Sequence, residues 1–260
     1  IGTGSQAAAP ATNAAVAIGM NATASNGTGE GSPVAIGAST SATGVSAVAI
    51  GTLSTAEGDQ AVVVGINSHA SGFQSSAFGR MADATAAQAT AIGYDADATG
   101  NSAVALGDSA KSGGLYATAV GRTTQASGIA SVALGNASRA EADYSVALGS
   151  GAVGAGQGTV AIGQGAGSSS TTANTNSVAL GVASGALVSG AQNTAIGGGI
   201  ASTMRGAGSG VTGTRNIALG TGDGTTMYDA TLQAAAGSLV EGDDNIAIGT
   251  NAGIGVAGSR

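Results

Sequence analysis

Cysteine and tryptophan are absent from this 260-residue sequence, aromatic residues make up 2% of it and charged residues 8%. Each shortage excludes something. Large rings bury the most area per residue, so without them the chain cannot build the thick core of an ordinary enzyme. Seven Lys and Arg stand against 14 Asp and Glu, which leaves no basic stripe to meet phosphates and excludes a nucleic-acid partner. Apolar runs break well short of the ~18 residues that a membrane-spanning helix needs. The lack of cysteine suits a chain that passes through an oxidising compartment without cross-linking. The sequence starts at Ile1 with no leader and reads as an excised fragment, so export and anchoring signals are expected outside it. What is present is small: 48 glycines, and a 43% hydrophobic fraction made mostly of Ala, Val, Ile and Leu. Such residues can only fill a thin, regular layer.

That layer has a period. A motif of the form Ser/Asn-x-Val-Ala-Ile/Leu-Gly recurs with its glycine at 37, 51, 65, 79, 93, 107, 121, 135, 149 and 163, every interval being 14 residues. A second glycine sits seven residues after the first in most units, as at Gly44, Gly58, Gly72, Gly100, Gly114, Gly128 and Gly156, with Ala86 and Ala142 in its place twice. Two strands of about five residues and two tight corners use up one such unit. Glycine belongs at a corner that needs positive φ or that passes close to another backbone. Each unit is therefore one coil of a β-solenoid.

Alternation supports strands. In Val48-Ala49-Ile50, Val104-Ala105-Leu106, Val132-Ala133-Leu134 and Val146-Ala147-Leu148 the large aliphatics share one face and alanine the other. Small residues recur three and five places after the glycine, as in Ser54 with Ala56 and Ser68 with Ala70. Charged residues between Gly37 and Gly163 avoid all of these positions, the segregation that fixed inward and outward ranks require. Both faces of the first strand are apolar, and only one can point into its own coil. The other forms a long hydrophobic stripe, which marks an interface. Val48, Ile50, Val104, Leu106, Val132, Leu134, Val146 and Leu148 are thus candidate core or subunit-contact positions in a homo-oligomer. The narrow interior favours Ala and Ser inside, with Val, Ile and Leu meeting their copies.

The run Ser46-Ala47-Val48-Ala49-Ile50-Gly51 followed by Ser54, Ala56 and Gly58, and the run Ser131-Val132-Ala133-Leu134-Gly135 followed by Ser138 and Ala140, resemble the YadA-type head of trimeric autotransporter adhesins. The resemblance extends over about residues 13–250. It implies an all-β, left-handed parallel β-roll, a homotrimer, and display on the bacterial cell surface at the outer membrane. It also implies attachment to host extracellular-matrix proteins or cell-surface receptors. Neck motif, coiled-coil heptads and C-terminal barrel strands are not found, so the whole of 1–260 is expected to be one head domain, touching a membrane only through an anchor outside this sequence.

The period fails at both ends. The interval from Gly19 to Gly37 is 18, and those after Gly163 are 18, 16, 23 and 29. The surplus is expected to leave the coils as surface loops over 168–176, 200–214 and 221–244. Loops on a rigid scaffold carry recognition. The least repeat-like residues, Met204, Arg205, Arg215, Met227, Tyr228 and Asp229, are therefore candidate ligand contacts, although packing against a neighbouring subunit explains them too.

Chemistry is sparse. His69 is the one histidine, at an exposed repeat position with no acidic partner recurring nearby in sequence. Asp95 with Asp97, Glu141 with Asp143, and the cluster Glu241, Asp243 and Asp244 lack the oxygen-ligand density that calcium prefers. The glycine-rich stretches lack the Lys-Ser/Thr of a phosphate loop. No catalytic, cofactor-binding or metal residues are assigned, and an enzyme is not expected. The alternatives to an adhesive head are a spacer or autoagglutination module without a specific host ligand, and an ice-binding solenoid. The latter is opposed by the shifting positions of Thr43, Thr55, Thr85, Thr99 and Thr123.

Overall fold

The computed structural model describes residues 1–8, 13–25, 30–200 and 202–259, and none of these is helical. They form an all-β parallel solenoid. The chain divides into two compact units, Ile1–Thr123 and Thr124–Arg260.

In the first unit each 14-residue coil contributes one strand to each of two parallel sheets. Val48–Ile50 pairs with Val34–Ile36 on one side and Val62–Val64 on the other. Thr55–Ala56 pairs likewise with Ser41–Ala42 and His69–Ala70. The strands are three and two residues long, shorter than the five expected, because the corners consume the difference. At one corner the Ala61 N–H donates to the Gly58 carbonyl at 3.1 Å, and Gln60 between them has φ 59°. That is the arrangement of a type II turn, which needs positive φ at its third residue. Every seventh residue from Ser39 to Tyr144 holds this left-handed conformation without being glycine, Leu53 at 58° and Tyr116 at 59° among them.

The coil interior is almost wholly alanine. Ala35, Ala49, Ala77, Ala91 and Ala105 from one sheet face Ala42, Ala56, Ala70, Ala84 and Ala98 from the other, each with 0% exposure. Val63 is the one larger residue in that rank, also fully buried. Serines at the corners satisfy backbone: the Ser54 hydroxyl donates to the Gly51 carbonyl at 2.9 Å and the Ser75 hydroxyl to the Gly72 carbonyl at 2.7 Å. A layer this thin leaves Val, Ile and Leu no place inside. Val48, Ile50, Val104 and Leu106 point outward, with Ile50 37% and Leu106 40% exposed.

The second unit begins with the same coils. Val132–Leu134, Val146–Leu148 and Val160–Ile162 pair in register, and their sheet continues through Val178–Leu180, Thr194–Ile196, Ile217–Leu219 and Ile246–Ile248. The companion short strands stop at Val153–Gly154. Beyond it the surplus residues do not all leave as loops. Of the expected 200–214 excursion, Gly206–Ser209, Val211 and Gly213 are buried, and of 221–244, Ala234–Ser238, Val240 and Gly242 are buried. They form the far wall of wider coils, because each segment supplies small residues and a valine that pack inward. Ala201, within the first excursion, lies outside the described residues.

Glycines at the two corner types differ in what they require. Gly107 has φ 133°, and a Cβ there would lie 2.4 Å from the Gly121 carbonyl oxygen of the next coil. Gly100 has no such φ, and a Cβ would meet the Gly114 carbonyl at 2.0 Å; alanine already stands at that rank as Ala86 and Ala142. Both positions would press a Cβ on backbone, but the second rank already accommodates alanine, whereas the first adds conformational strain. Gly107→Ala should therefore destabilise the fold by more than Gly100→Ala, with an excess of about 1–3 kcal/mol, read by chemical denaturation of the two variants side by side. Equal losses would mean that the φ of the main corner is not the constraint.

Candidate adhesive surface

Two outward ranks flank each buried alanine. One runs Val34, Val48, Val62, Ser76, Thr90, Val104 and Thr118, the other Ile36, Ile50, Val64, Phe78, Ile92, Leu106 and Val120. The first is interrupted by hydroxyl residues. The second is apolar without a break, and Ile50, Val64, Phe78, Ile92 and Leu106 are each 37–40% exposed. The second unit repeats the pattern. Thr194 interrupts the rank of Val132 and Val146, whereas Leu134, Leu148, Ile162, Leu180, Ile196, Leu219 and Ile248 form an unbroken apolar column. A continuous exposed apolar column of this kind is the sort of surface that marks interaction sites.

The expected contact residues separate into two places. Met204, Arg205, Met227, Tyr228 and Asp229 come together where the two true excursions, roughly 202–205 and 221–233, meet. The Arg205 N–H donates to the Gln233 carbonyl at 2.9 Å, and the Gln233 N–H donates to the Thr203 carbonyl at 2.8 Å. The Arg205 guanidinium lies over the Tyr228 ring, 5.4 Å from its centroid, a cation–π contact. Tyr228 closes on Gly210, where a Cβ would sit 2.4 Å from its hydroxyl. Burial pushes that hydroxyl's pKa up, against the pull of Arg205. Asp229 folds its own turn: its Oδ1 accepts from the Thr231 N–H at 2.7 Å and the Leu232 N–H at 2.8 Å, and these bonds hold its carboxyl below the usual range. Met227 is 51% exposed.

Arg215 is elsewhere. It forms a bidentate pair with Asp244, Nε to Oδ1 at 2.6 Å and a terminal nitrogen to Oδ2 at 2.9 Å. The next coil thus supplies its partner at 29 residues' distance.

The YadA head domain repeat matches residues 28–54, 42–68, 70–96, 98–123 and 126–152. These segments are YadA head repeats. The matched run ends at 152, before the wide coils begin. No curated protein matches the chain.

On the first unit's short-strand sheet the outward rank is polar: Ser41, Thr55, His69, Asp83, Asp97 and Lys111 stack in register. His69 is not without acidic partners. Its Nδ1 lies 3.1 Å from Asp83 and its Nε2 lies 3.6 Å from Glu57. Asp83 is 14 residues away in sequence but directly adjacent in space, because one coil advances the parallel ladder by a single strand spacing. Sequence proximity is the wrong measure in a solenoid. Above the histidine, Asp97 is partly buried, stacked on Asp83 and near Asp95, and its Oδ1 has no hydrogen-bond partner. Burial first, then Asp83, raises its carboxyl pKa, with Lys111 opposing.

A raised carboxyl pKa means that the charged form is penalised in the folded state. The penalty is present above that pKa and is relieved as pH falls and Asp97 protonates. Asp97→Asn should raise the thermal midpoint at pH 7, and the gain should shrink as the pH is lowered through the carboxylate range. A pH series of melting curves for the two proteins reads this directly. A gain that stays constant with pH would assign the effect to packing instead.

Proposed function

We propose that this chain is the adhesive head of a bacterial surface protein. Three copies pack around a common axis as a left-handed β-roll, with 1–260 as one head domain displayed from the outer membrane. The observation that carries the reading is the unbroken apolar column of Ile50, Val64, Phe78, Ile92 and Leu106, outward-facing and more than a third exposed. Neighbouring copies would bury it, and the hydroxyl-interrupted rank beside it would lie nearer the edge of the contact. In this assembly the regular coils are scaffold. Host extracellular-matrix proteins or cell-surface receptors would be met by faces that remain outside, the cluster of Met204, Arg205, Met227, Tyr228 and Asp229 among them. Three linked copies multiply weak contacts by avidity, which suits a surface with so little charge and no enzymatic constellation assigned to it. Loss of function through loss of assembly is then separable from loss of function at the contact.

The purified chain should scatter light as a trimer. Leu106→Asp combined with Leu134→Asp should give a monomer with an unchanged far-ultraviolet spectrum, since both residues lie outside the coil. Val104→Thr should leave the trimer intact, because threonine already occupies that rank. Binding to a panel of immobilised matrix proteins should fall by about 10²-fold or more on monomerisation. Tyr228→Ala should weaken it in the trimer. A monomeric wild-type chain would overturn the assembly. A trimer that binds no matrix protein or cell would leave a spacer or autoagglutination module as the better reading.

A further inference from the structure

Tyr228 fills the space of a side chain that Gly210 does not have. On the far wall of the wide coils one corner residue recurs in the left-handed conformation: Ser169 at φ 56°, Leu187 at 59°, Gly210 at 70° and Leu239 at 58°. These residues form one rank, since the Gly210 N–H donates to the Ala186 carbonyl and the Leu239 N–H to the Ser209 carbonyl. Leucine on both neighbouring coils holds the same φ, so the backbone does not require glycine at 210. The three atoms nearest to a Cβ built on Gly210 all belong to Tyr228. Its hydroxyl would overlap that Cβ, and its Cε2 and Cζ would lie 3.2 Å away. Gly255, the next glycine of the rank, has open space at the same point.

Tyr228 reaches this seat from the following coil. It stands on a short hairpin: the Ala234 N–H donates to the Thr226 carbonyl and the Tyr228 N–H to the Leu232 carbonyl, each at 2.7 Å, with Met227 opposite Gln233. Asp229 closes the tip by accepting from the Thr231 and Leu232 N–H groups. Neighbouring side chains of an extended strand point opposite ways. Tyr228 therefore faces the wall while Met227, 51% exposed, faces out, and 229–231 are exposed beyond it. Arg205 covers the ring from the preceding excursion. Met204 is also turned inward, its Sδ 2.9 Å from where a Cβ on Gly222 would be.

We propose that Gly210 is a seat for Tyr228 and that the docked ring sets the pose of the hairpin. Tyr228, Arg205 and Met204 are then positioning residues, and contact with a partner falls to Met227 and 229–231. This division of labour rests on the reading of the excursions as an adhesive contact; the seat itself does not. Gly210, on a different coil from the hairpin, becomes a residue on which recognition depends.

Gly210→Ala puts a methyl group where the hydroxyl lies. The obstacle is the far end of a side chain, so Tyr228 should leave and the coil remain, with an unchanged far-ultraviolet spectrum. Amides of 226–234 should exchange with solvent about tenfold faster. The phenol, which burial pushes above the ordinary tyrosine range, should return to that range in an ultraviolet titration. Binding to the immobilised matrix proteins should weaken about tenfold. Combining Gly210→Ala with Tyr228→Phe removes the obstructing hydroxyl and should restore both slow exchange and binding. Met227→Ala should weaken binding and leave the exchange as it is. Unaltered exchange in Gly210→Ala, or exchange in the double variant as fast as in Gly210→Ala alone, would overturn the seat. Full binding by a Gly210→Ala chain whose hairpin has loosened would overturn the positioning role. A wild-type chain that binds nothing, with exchange and rescue as expected, would strike the adhesive reading and leave the seat standing.

Discussion

Backbone hydrogen bonds between successive coils, made in one register, constrain everything else in this protein. The Val48 N–H donates to the Ala61 carbonyl at 2.9 Å and the Gly65 N–H to the Ile50 carbonyl at 2.8 Å; neighbouring coils repeat those bonds with a shift of 14. Parallel pairing at that spacing places every residue directly on its counterpart one coil away. A side chain that suits one coil must then suit a column of near-identical neighbours. A thin coil has room inside only for a methyl or a hydroxymethyl group from each side. Alanine and serine are inside because nothing larger fits in a stack without displacing the strands, and interiors at native density resist such insertion.

The consequence runs outward. A coil that cannot bury Val, Ile and Leu within itself gains little hydrophobic stabilisation on its own; its stability comes from neighbour-to-neighbour stacking, as in other repeat proteins. The sequence nevertheless spends its largest aliphatics on the outer face of the three-residue strands. They offer stabilisation that can be realised only when that face is covered. The unequal treatment of the two outer ranks is the informative part. Serine and threonine at 76, 90 and 118 are tolerated in one rank, while the other keeps Ile, Val, Phe or Leu in every coil from Ile36 to Val120. Burial within the coil does not explain the choice, since the rank that admits hydroxyls is the half-buried one and the rank that stays apolar is the more exposed. Their difference points to an environment beyond the chain.

Much of this was legible from residue spacing, because in a solenoid the period itself is the fold. The 14-residue glycine interval, the alternation in Val104-Ala105-Leu106 and the exclusion of charge from inward positions all translate directly into strand, corner and interior. What escaped was whatever depends on the coil as a unit of distance. His69 reads as isolated along the chain, yet Asp83 is its nearest neighbour across the ladder. The strands were overestimated because the left-handed residue at each corner, Leu53 or Gln60, carries no compositional mark; leucine and glutamine are poor indicators of positive φ. The inserted segments read as loops because their small residues were counted against the 14-residue template alone. The sequence did carry a second pattern, a glycine followed three places later by valine at Gly185, Gly208, Gly237 and Gly253, with asparagine before the strand at 193, 216 and 245.

That second pattern explains how the solenoid changes diameter without losing register. The three-residue strands continue unaltered from Val160–Ile162 to Ile246–Ile248, so one wall of the coil is held constant. The short strand opposite is replaced by a longer segment of turns, which meets the interior alanines through Gly185, Gly208, Gly237 and Gly253. A wider coil must then be spanned by something longer than alanine, and valine and asparagine take over. Valine fills from one side, while asparagine reaches the backbone of the next coil. The Asn193, Asn216 and Asn245 ladder adds side-chain amides to the coil-to-coil backbone bonds that persist, such as the Gly208 N–H to the Ala236 carbonyl, keeping buried carbonyls such as those of Gly213 and Gly242 paired. The excursions that brace one another through Arg205 and Tyr228 begin from these same coils. Widening the coil and projecting a loop are alternative uses of the same surplus residues, and this chain does both within single repeats.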